Sequence, residues 1–167
     1  VAQAAVDRGL GAISGSLDRL VKKEKLTAAD KAAIVGRVRG SVSYDDLAGC
    51  DLVIEAATEN LELKLKILRQ VGALAKADAL IASNTSSISI PTLAAVMPRP
   101  DAFLGVHFFN PVPMMALVEL VRGLQTSDAT VEAAAEFAKR LTKTPIVVRN
   151  SPGFVVNRIL CPMLNEA

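Results

Sequence analysis

From Asp51 onward the chain alternates two periodicities that coexist in few architectures. Short apolar runs at 51–55, 79–83, 103–107, 117–121 and 145–149 are separated by stretches at 61–75, 90–96 and 127–141 with helical character. Apolar runs of that length, bounded by polar turns, read as buried strands. In the first helical stretch Leu61, Leu65, Leu68 and Val71 fall on one face, and Pro91 sits where proline suits a helix start. Strands alternating with helices specify a doubly wound α/β sheet, here one ending in antiparallel strands. Upstream, Ala5, Val6, Leu10, Ile13, Leu17, Leu20 and Val21 mark a helix over 2–24. A second helix starts at Thr27, with Asp30 three positions on in a capping-box-like arrangement, and is expected to stop at Gly40. After Pro152-Gly153 a helix opening at Phe154 is expected to leave the sheet. Residues 1–150 therefore read as one domain and 151–167 as the start of another. The sequence opens at Val1 in helical register and closes at Ala167 in the same register, so it reads as an internal segment of a longer protein.

Composition narrows the function classes. The 19 basic and 17 acidic residues leave a net charge of +2, with no basic face of the kind nucleic acid requires. Lys22, Lys23 and Lys25 read as a solvated helix C-terminus whose cations suit the helix dipole. No apolar run approaches the roughly 18 residues of a membrane span, and no signal-peptide pattern opens the chain. Cys50 and Cys161 read as buried, reduced thiols, which places the protein in a reducing compartment, the cytoplasm. One histidine and no CxxC leave no metal-ligand spacing.

Three strand ends carry polar clusters: Ala56-Ala57-Thr58-Glu59-Asn60, Ser83-Asn84-Thr85-Ser86-Ser87 and His107-Phe108-Phe109-Asn110-Pro111. In an open parallel sheet ligands bind outside the carboxyl ends of strands, so the three converge on one crevice. His107 is expected to meet Glu119 across the turn Asn110-Pro111-Val112-Pro113. A carboxylate behind an imidazole fixes its tautomer and stabilises imidazolium, the usual arrangement of a general acid or base. Glu119, flanked by Leu117, Val118, Leu120 and Val121, is hard to explain as a solvated acid, although strand alternation leaves an outward position open. Ser86 and Asn84 suit hydrogen bonding at a strand-to-helix turn, and capping of the next helix accounts for one of them. Asn157 and Arg158 lie near Pro152-Gly153-Phe154, where the sheet meets the next domain. Gly9, Gly11 and Gly15 imitate a dinucleotide glycine motif, but the third glycine comes one place late and no strand precedes them; they read as packing or tolerated helix positions.

Five blocks, in order, resemble the L-3-hydroxyacyl-CoA dehydrogenases, and among them the bacterial 3-hydroxybutyryl-CoA dehydrogenases. These are Ile54–Asn60, Ala82–Ser87, His107–Pro113, Leu117–Glu119 and Ser151–Arg158. The resemblance implies a Rossmann-like NAD-binding domain leading into an all-α domain. It implies oxidation of an (S)-3-hydroxyacyl-CoA, such as 3-hydroxybutyryl-CoA, to the 3-oxoacyl-CoA, with His107 moving the proton and Glu119 orienting it. Ser86 and Asn157 would bond the reacting oxygen and the acyl portion. Glu59 and Lys64 would approach the nicotinamide end of NAD, Lys64 also nearing CoA, while Asn84, Ser86 and Asn110 would complete the cofactor pocket. The family's glycine turn and ribose-binding acid are expected upstream of Val1, so the choice of NAD over NADP rests on the resemblance alone. The helical domain that forms the family's homodimer is expected after Ala167. The segment by itself is expected to bind NAD weakly and turn over little; whether a hydratase domain is fused lies outside it. Two other readings are a lysine-dependent β-hydroxyacid dehydrogenase and a non-catalytic NAD-binding relative. The first lacks its lysine in the right place, and the second would have no use for the retained His107, Glu119, Ser86 and Asn157.

Overall fold

The computed structural model describes residues 2–167, which fall into two compact units meeting between Asp46 and Leu47. The first unit holds α1 (Gln3–Lys22) and α2 (Ala28–Val35). Glu24, in the left-handed region at φ 56°, ends α1, and Lys25 N–H reaches back to the Leu20 carbonyl at 3.0 Å, a closure typical of helix C-termini. Lys22, Lys23 and Lys25 are exposed there, as expected. Thr27 caps α2 by accepting from Asp30 N–H at 3.0 Å. The helix stops at Val35, with Gly36 as its cap, and not at Gly40. Its end tightens into three-residue bonds from Arg37 to Ile34 and Val38 to Val35, which cannot continue the α-helical ladder. Gly40 is needed for close packing instead, because a Cβ there would stand 2.3 Å from the Val6 side chain. Gly9, Gly11 and Gly15 lie within α1 with nothing within 4 Å of an added Cβ, so they are tolerated helix positions.

The boundary falls within a short 3-10 turn (Tyr44–Gly49) that the sequence pattern does not announce, and the second unit starts at Leu47. It continues β1 (Leu52–Glu55), α3 (Leu61–Leu74), β2 (Leu80–Ser83), α4 (Ile90–Ala94), β3 (Phe103–Phe108), β4 (Leu117–Arg122), α5 (Asp128–Arg140), β5 (Thr144–Arg149) and α6 (Val156–Glu166). Asn60 and Ser127 cap α3 and α5 by accepting from Leu63 and Thr130 N–H. The sheet order is β1-β2-β3-β4-β5. Strands β1, β2 and β3 run parallel, β4 is antiparallel to β3, and β5 is parallel to β4. This is the expected doubly wound sheet with antiparallel strands at its end.

Side-chain alternation gives the sheet two faces. On one, Ala82, Leu104, Val106, Val118 and Leu120 form a buried cluster with Ala134 of α5. On the other, Gly105 and its register partner Val121 meet Ile90 of α4. His107 and Glu119, two residues further along the same strands, therefore share the α4 face. Gly105 lets α4 approach: an added Cβ would lie 2.8 Å from Ile90 Cδ1 and 2.9 Å from Val121 Cβ. Gly105→Ala is expected to lower stability by about 1–3 kcal/mol through overpacking. A denaturant titration checks this, and an unchanged midpoint would show that Ile90 moves aside without cost.

The cysteine expectation needs correcting. Cys161 is exposed and Cys50 half-buried, because α6 turns Cys161 outward in a helix with no buried residue. No helix among the described residues is long and apolar enough to cross a membrane.

Candidate active site

The carboxyl ends of β1, β2 and β3 lie along one edge of the sheet, and the three polar clusters meet there, Glu59 bonding Thr85 and Ser86, Ser86 bonding His107 and Asn84 bonding Phe108. At its centre the antiparallel register pairs His107 directly with Glu119. Imidazole Nδ1 lies 2.8 Å from Glu119 Oε2, and Nε2 lies 3.1 Å from Ser86 Oγ. His107 is 4 % exposed and Glu119 fully buried. The outward alternative for Glu119 is thereby excluded. A carboxylate oxygen only accepts, so Nδ1 carries the hydrogen and Nε2 presents its lone pair towards Ser86 and the crevice.

The second oxygen of Glu119 accepts from Val155 and Val156 N–H at 2.9 and 3.0 Å. These donors come from the start of α6, and the turn before it aims them. Gly153 and Phe154 both adopt positive φ, 72° and 53°. A Cβ on Gly153 would crowd Arg158 N at 3.0 Å, so glycine is required. Phe154 holds a conformation costly for a bulky residue, and burial of its ring offsets that cost. The ring is 1 % exposed and stands edge-on to His107, with 5.6 Å between centroids. Phe109 packs on the imidazole at 4.6 Å. This turn is also why α6 starts at Val156 and not at Phe154.

Ser86 is presented by a turn held from several sides. Glu59 accepts from Thr85 Oγ1 at 2.8 Å and from Ser86 N–H at 3.1 Å. Thr85 Oγ1 in turn accepts from Ile88 N–H at 3.0 Å. Asn84 accepts from Phe108 N–H at 2.9 Å, tying the end of β2 to that of β3. Asn84 thus joins two strand ends and does not cap α4. Asn157 shares a cleft of about 560 Å³ with Ser86, Ser87, Gly153, Arg158 and Cys161. Asn110 is exposed on the turn after β3, ahead of a cis bond to Pro111.

A smaller cleft of about 190 Å³ lies at the ends of β1 and β2, lined by Ala56, Ala57, Thr58, Glu59, Lys64 and Asn84. Lys64 lines this cleft from a buried position: it is 1 % exposed, and its ammonium is paired with Glu55 and with Ser83 Oγ at 3.3 Å. Glu55 and Ser83 were not singled out by the sequence pattern, although the signal existed. Glu55 is an acid inside an apolar run, the same argument that pointed to Glu119. The backbone donors of Val155 and Val156 had no sequence signal, because any residue type supplies them.

The profile of the family described as 3-hydroxyacyl-CoA dehydrogenase, NAD binding domain, matches residues 1–151. A probable 3-hydroxybutyryl-CoA dehydrogenase of Deinococcus radiodurans is 49% identical over 99% of the chain, which spans 59% of that relative. The 3-hydroxybutyryl-CoA dehydrogenase of Bradyrhizobium diazoefficiens is 50% identical over 95% of the chain, which spans 54% of it. The crystal structure of an (S)-3-hydroxybutyryl-CoA dehydrogenase from Ralstonia eutropha superimposes with a TM-score of 0.97 at 63% identity, covering 99% of this chain and 59% of that one. The chain thus spans little more than half the length of these relatives. With its site geometry and these likenesses together, the chain belongs to the 3-hydroxyacyl-CoA dehydrogenase family, and specifically to that family's NAD-binding domain.

Proposed function

We propose that the protein carrying this chain interconverts (S)-3-hydroxyacyl-CoA and 3-oxoacyl-CoA with NAD, and that His107 is its proton-transfer residue. The observation that carries the reading is the unbroken line Ser86–His107–Glu119, with Glu119 locked by two backbone donors. The names of the relatives favour the four-carbon substrate, 3-hydroxybutyryl-CoA.

The cleft beside Ala56 and Ala57 fits a cofactor, since two methyl side chains leave room for a ring or ribose and Glu59 and Asn84 stand at its wall. When bound, NAD supplies the hydride acceptor. Glu59, Lys64, Asn84, Ser86 and Asn110 are the residues proposed to surround it. A secondary alcohol releases hydride only if its proton leaves too, so a base within hydrogen-bond reach of the hydroxyl is needed. His107 Nε2 takes that proton, and the electron pair of the broken O–H bond becomes the second bond of the ketone. Glu119 stabilises the imidazolium and keeps its Nδ1 hydrogen in place. Ser86 steadies the reacting oxygen from the side, and Asn157 is placed to hold the acyl portion. In the reverse direction His107 returns the proton.

Residues 151–167 are proposed to open the following helical domain. Ile159, Met163 and Leu164 are exposed on α6, which supports a covering helix or a second copy in a homodimer. The lysine-dependent alternative is disfavoured by the His107–Glu119 pair, which occupies the proton-transfer position, and the non-catalytic one by the intact proton line. The deciding experiment gives the full-length protein acetoacetyl-CoA with NADH or NADPH and follows cofactor absorbance. Turnover on the order of 1–10³ s⁻¹ is expected. No oxidation of either cofactor would sink the proposal.

A further inference from the structure

Residues 109–116 join β3 to β4 at the sheet edge that carries the active site. Phe109, at the start, packs on His107, and Asn110 follows it. From Asn110 to Ala116 every residue is exposed, although all but Asn110 are apolar. Val112, Met114 and Met115 stand 42, 80 and 41 % exposed, so burial within this chain does not hold the segment. Its own backbone makes one tight turn, in which Met114 and Met115 N–H donate to the Pro111 carbonyl at 2.9 and 3.1 Å. The remaining fastening comes from the start of β5. The Lys143 ammonium donates to the Val112 and Met115 carbonyls at 2.5 and 2.8 Å, and Thr144 N–H donates to the Ala116 carbonyl at 2.8 Å. Among the described residues, no other side chain from outside the segment hydrogen-bonds to it.

A lysine just past a helix ordinarily bonds that helix's own last carbonyls. Lys143 reaches elsewhere, because α5 closes without its side chain. Thr142, in the left-handed region at φ 58°, donates its N–H to the Lys139 carbonyl at 2.8 Å, and Lys143 N–H donates to the Ala138 carbonyl at 3.0 Å. These backbone bonds fix the root of the side chain and leave the ammonium for residues 109–116. We infer that Lys143 is a positioning residue, which straps this segment so that Phe109 stays on the imidazole and Asn110 stays at its proposed cofactor contact. The segment is exposed, so water can replace the ammonium on both carbonyls at little cost to stability. Water does not fix where the segment lies. The consequence for turnover rests on the dehydrogenase reading, whereas the consequence for the order of the segment does not.

The test uses the full-length protein with Lys143→Met, which keeps the length of the side chain and removes its charge, and separately Lys143→Arg. In Lys143→Met, amide hydrogen exchange at Met114 and Met115 is expected to quicken about tenfold, as the segment opens more often. The ring-proton NMR signal of His107, assigned by its loss in His107→Gln, is expected to move as Phe109 shifts. With them kcat is expected to fall about 10- to 100-fold, as for a site displaced by a fraction of an ångström, while the denaturation midpoint stays close to wild type. Lys143→Arg keeps a charged donor and is expected to recover most of the exchange protection and turnover. If Lys143→Met does not fold, Lys143→Gln is measured in its place. Wild-type exchange in the variant overturns the inference, because packing elsewhere in the full-length protein would then hold the segment. Faster exchange with wild-type kcat and an unmoved His107 signal also overturns it, since the strap would then have no bearing on the site. So does a fall in midpoint that accounts for the whole loss of turnover, which would make Lys143 a structural residue only. A wild-type protein that does not turn over would instead fail the dehydrogenase reading, and the exchange rates and the His107 signal would still judge the strap.

Discussion

His107→Gln in the full-length protein is expected to lower kcat by about 10²- to 10⁴-fold, the usual contribution of a positioned acid or base. NADH affinity is expected to stay close to wild type. Glutamine is similar in size, so the packing against Phe109 and Phe154 is largely retained. What disappears is the Nε2 lone pair, since an amide is not a base near neutral pH. NADH fluorescence titration and steady-state kinetics separate the two effects. Unchanged turnover would remove His107 from the mechanism, whereas a large loss of NADH binding would make it a cofactor-site residue.

Glu119→Gln carries the second large effect, because no orientation of the amide satisfies the site. With its NH₂ towards His107, two donors face each other unless the ring gives up its Nδ1 hydrogen. The hydrogen then sits on Nε2, and the base has lost its lone pair. With its NH₂ towards α6, it opposes Val155 and Val156 N–H, now left without their acceptor. Leaving buried donors unpaired costs about 1–3 kcal/mol each. The first orientation keeps the amide oxygen on both α6 donors, so the expected outcome is a kcat loss of about 10²- to 10⁴-fold with a denaturation midpoint close to wild type. A variant as active as wild type with an unchanged midpoint would show that Glu119 does not set the tautomer, whereas retained activity with a lower midpoint would show the amide turned towards α6.

Much of this site was legible before any coordinates. An acid inside an apolar strand is a strong signal because burial of a carboxylate demands partners. Glu119 gave that signal, and so did Glu55, whose pairing with Lys64 no spacing in the chain announces. Helix periodicity marks which residues face the core only when those residues are apolar. A buried lysine is invisible to it. The end of α2 was misread at Gly40 for a related reason: glycine marks both helix stops and close contacts, and only the packing partner, Val6, tells them apart.

The sequence by itself determined the order of strands and α-helices, the helix cap at Thr27, the sheet edge that carries the site, and the pairing of His107 with Glu119. Each follows from local spacing or from strands joined by a short turn. Tertiary structure alone decided what holds that pair and the serine beside it. The donors on Glu119 are backbone groups aimed by left-handed Gly153 and Phe154. The support under Ser86 comes from Glu59, beyond the end of β1, through Thr85 Oγ1 and the Ser86 N–H. Backbone hydrogens carry no residue identity, and contacts between distant elements leave no spacing in the chain, so these parts of the site existed only once the sheet had formed.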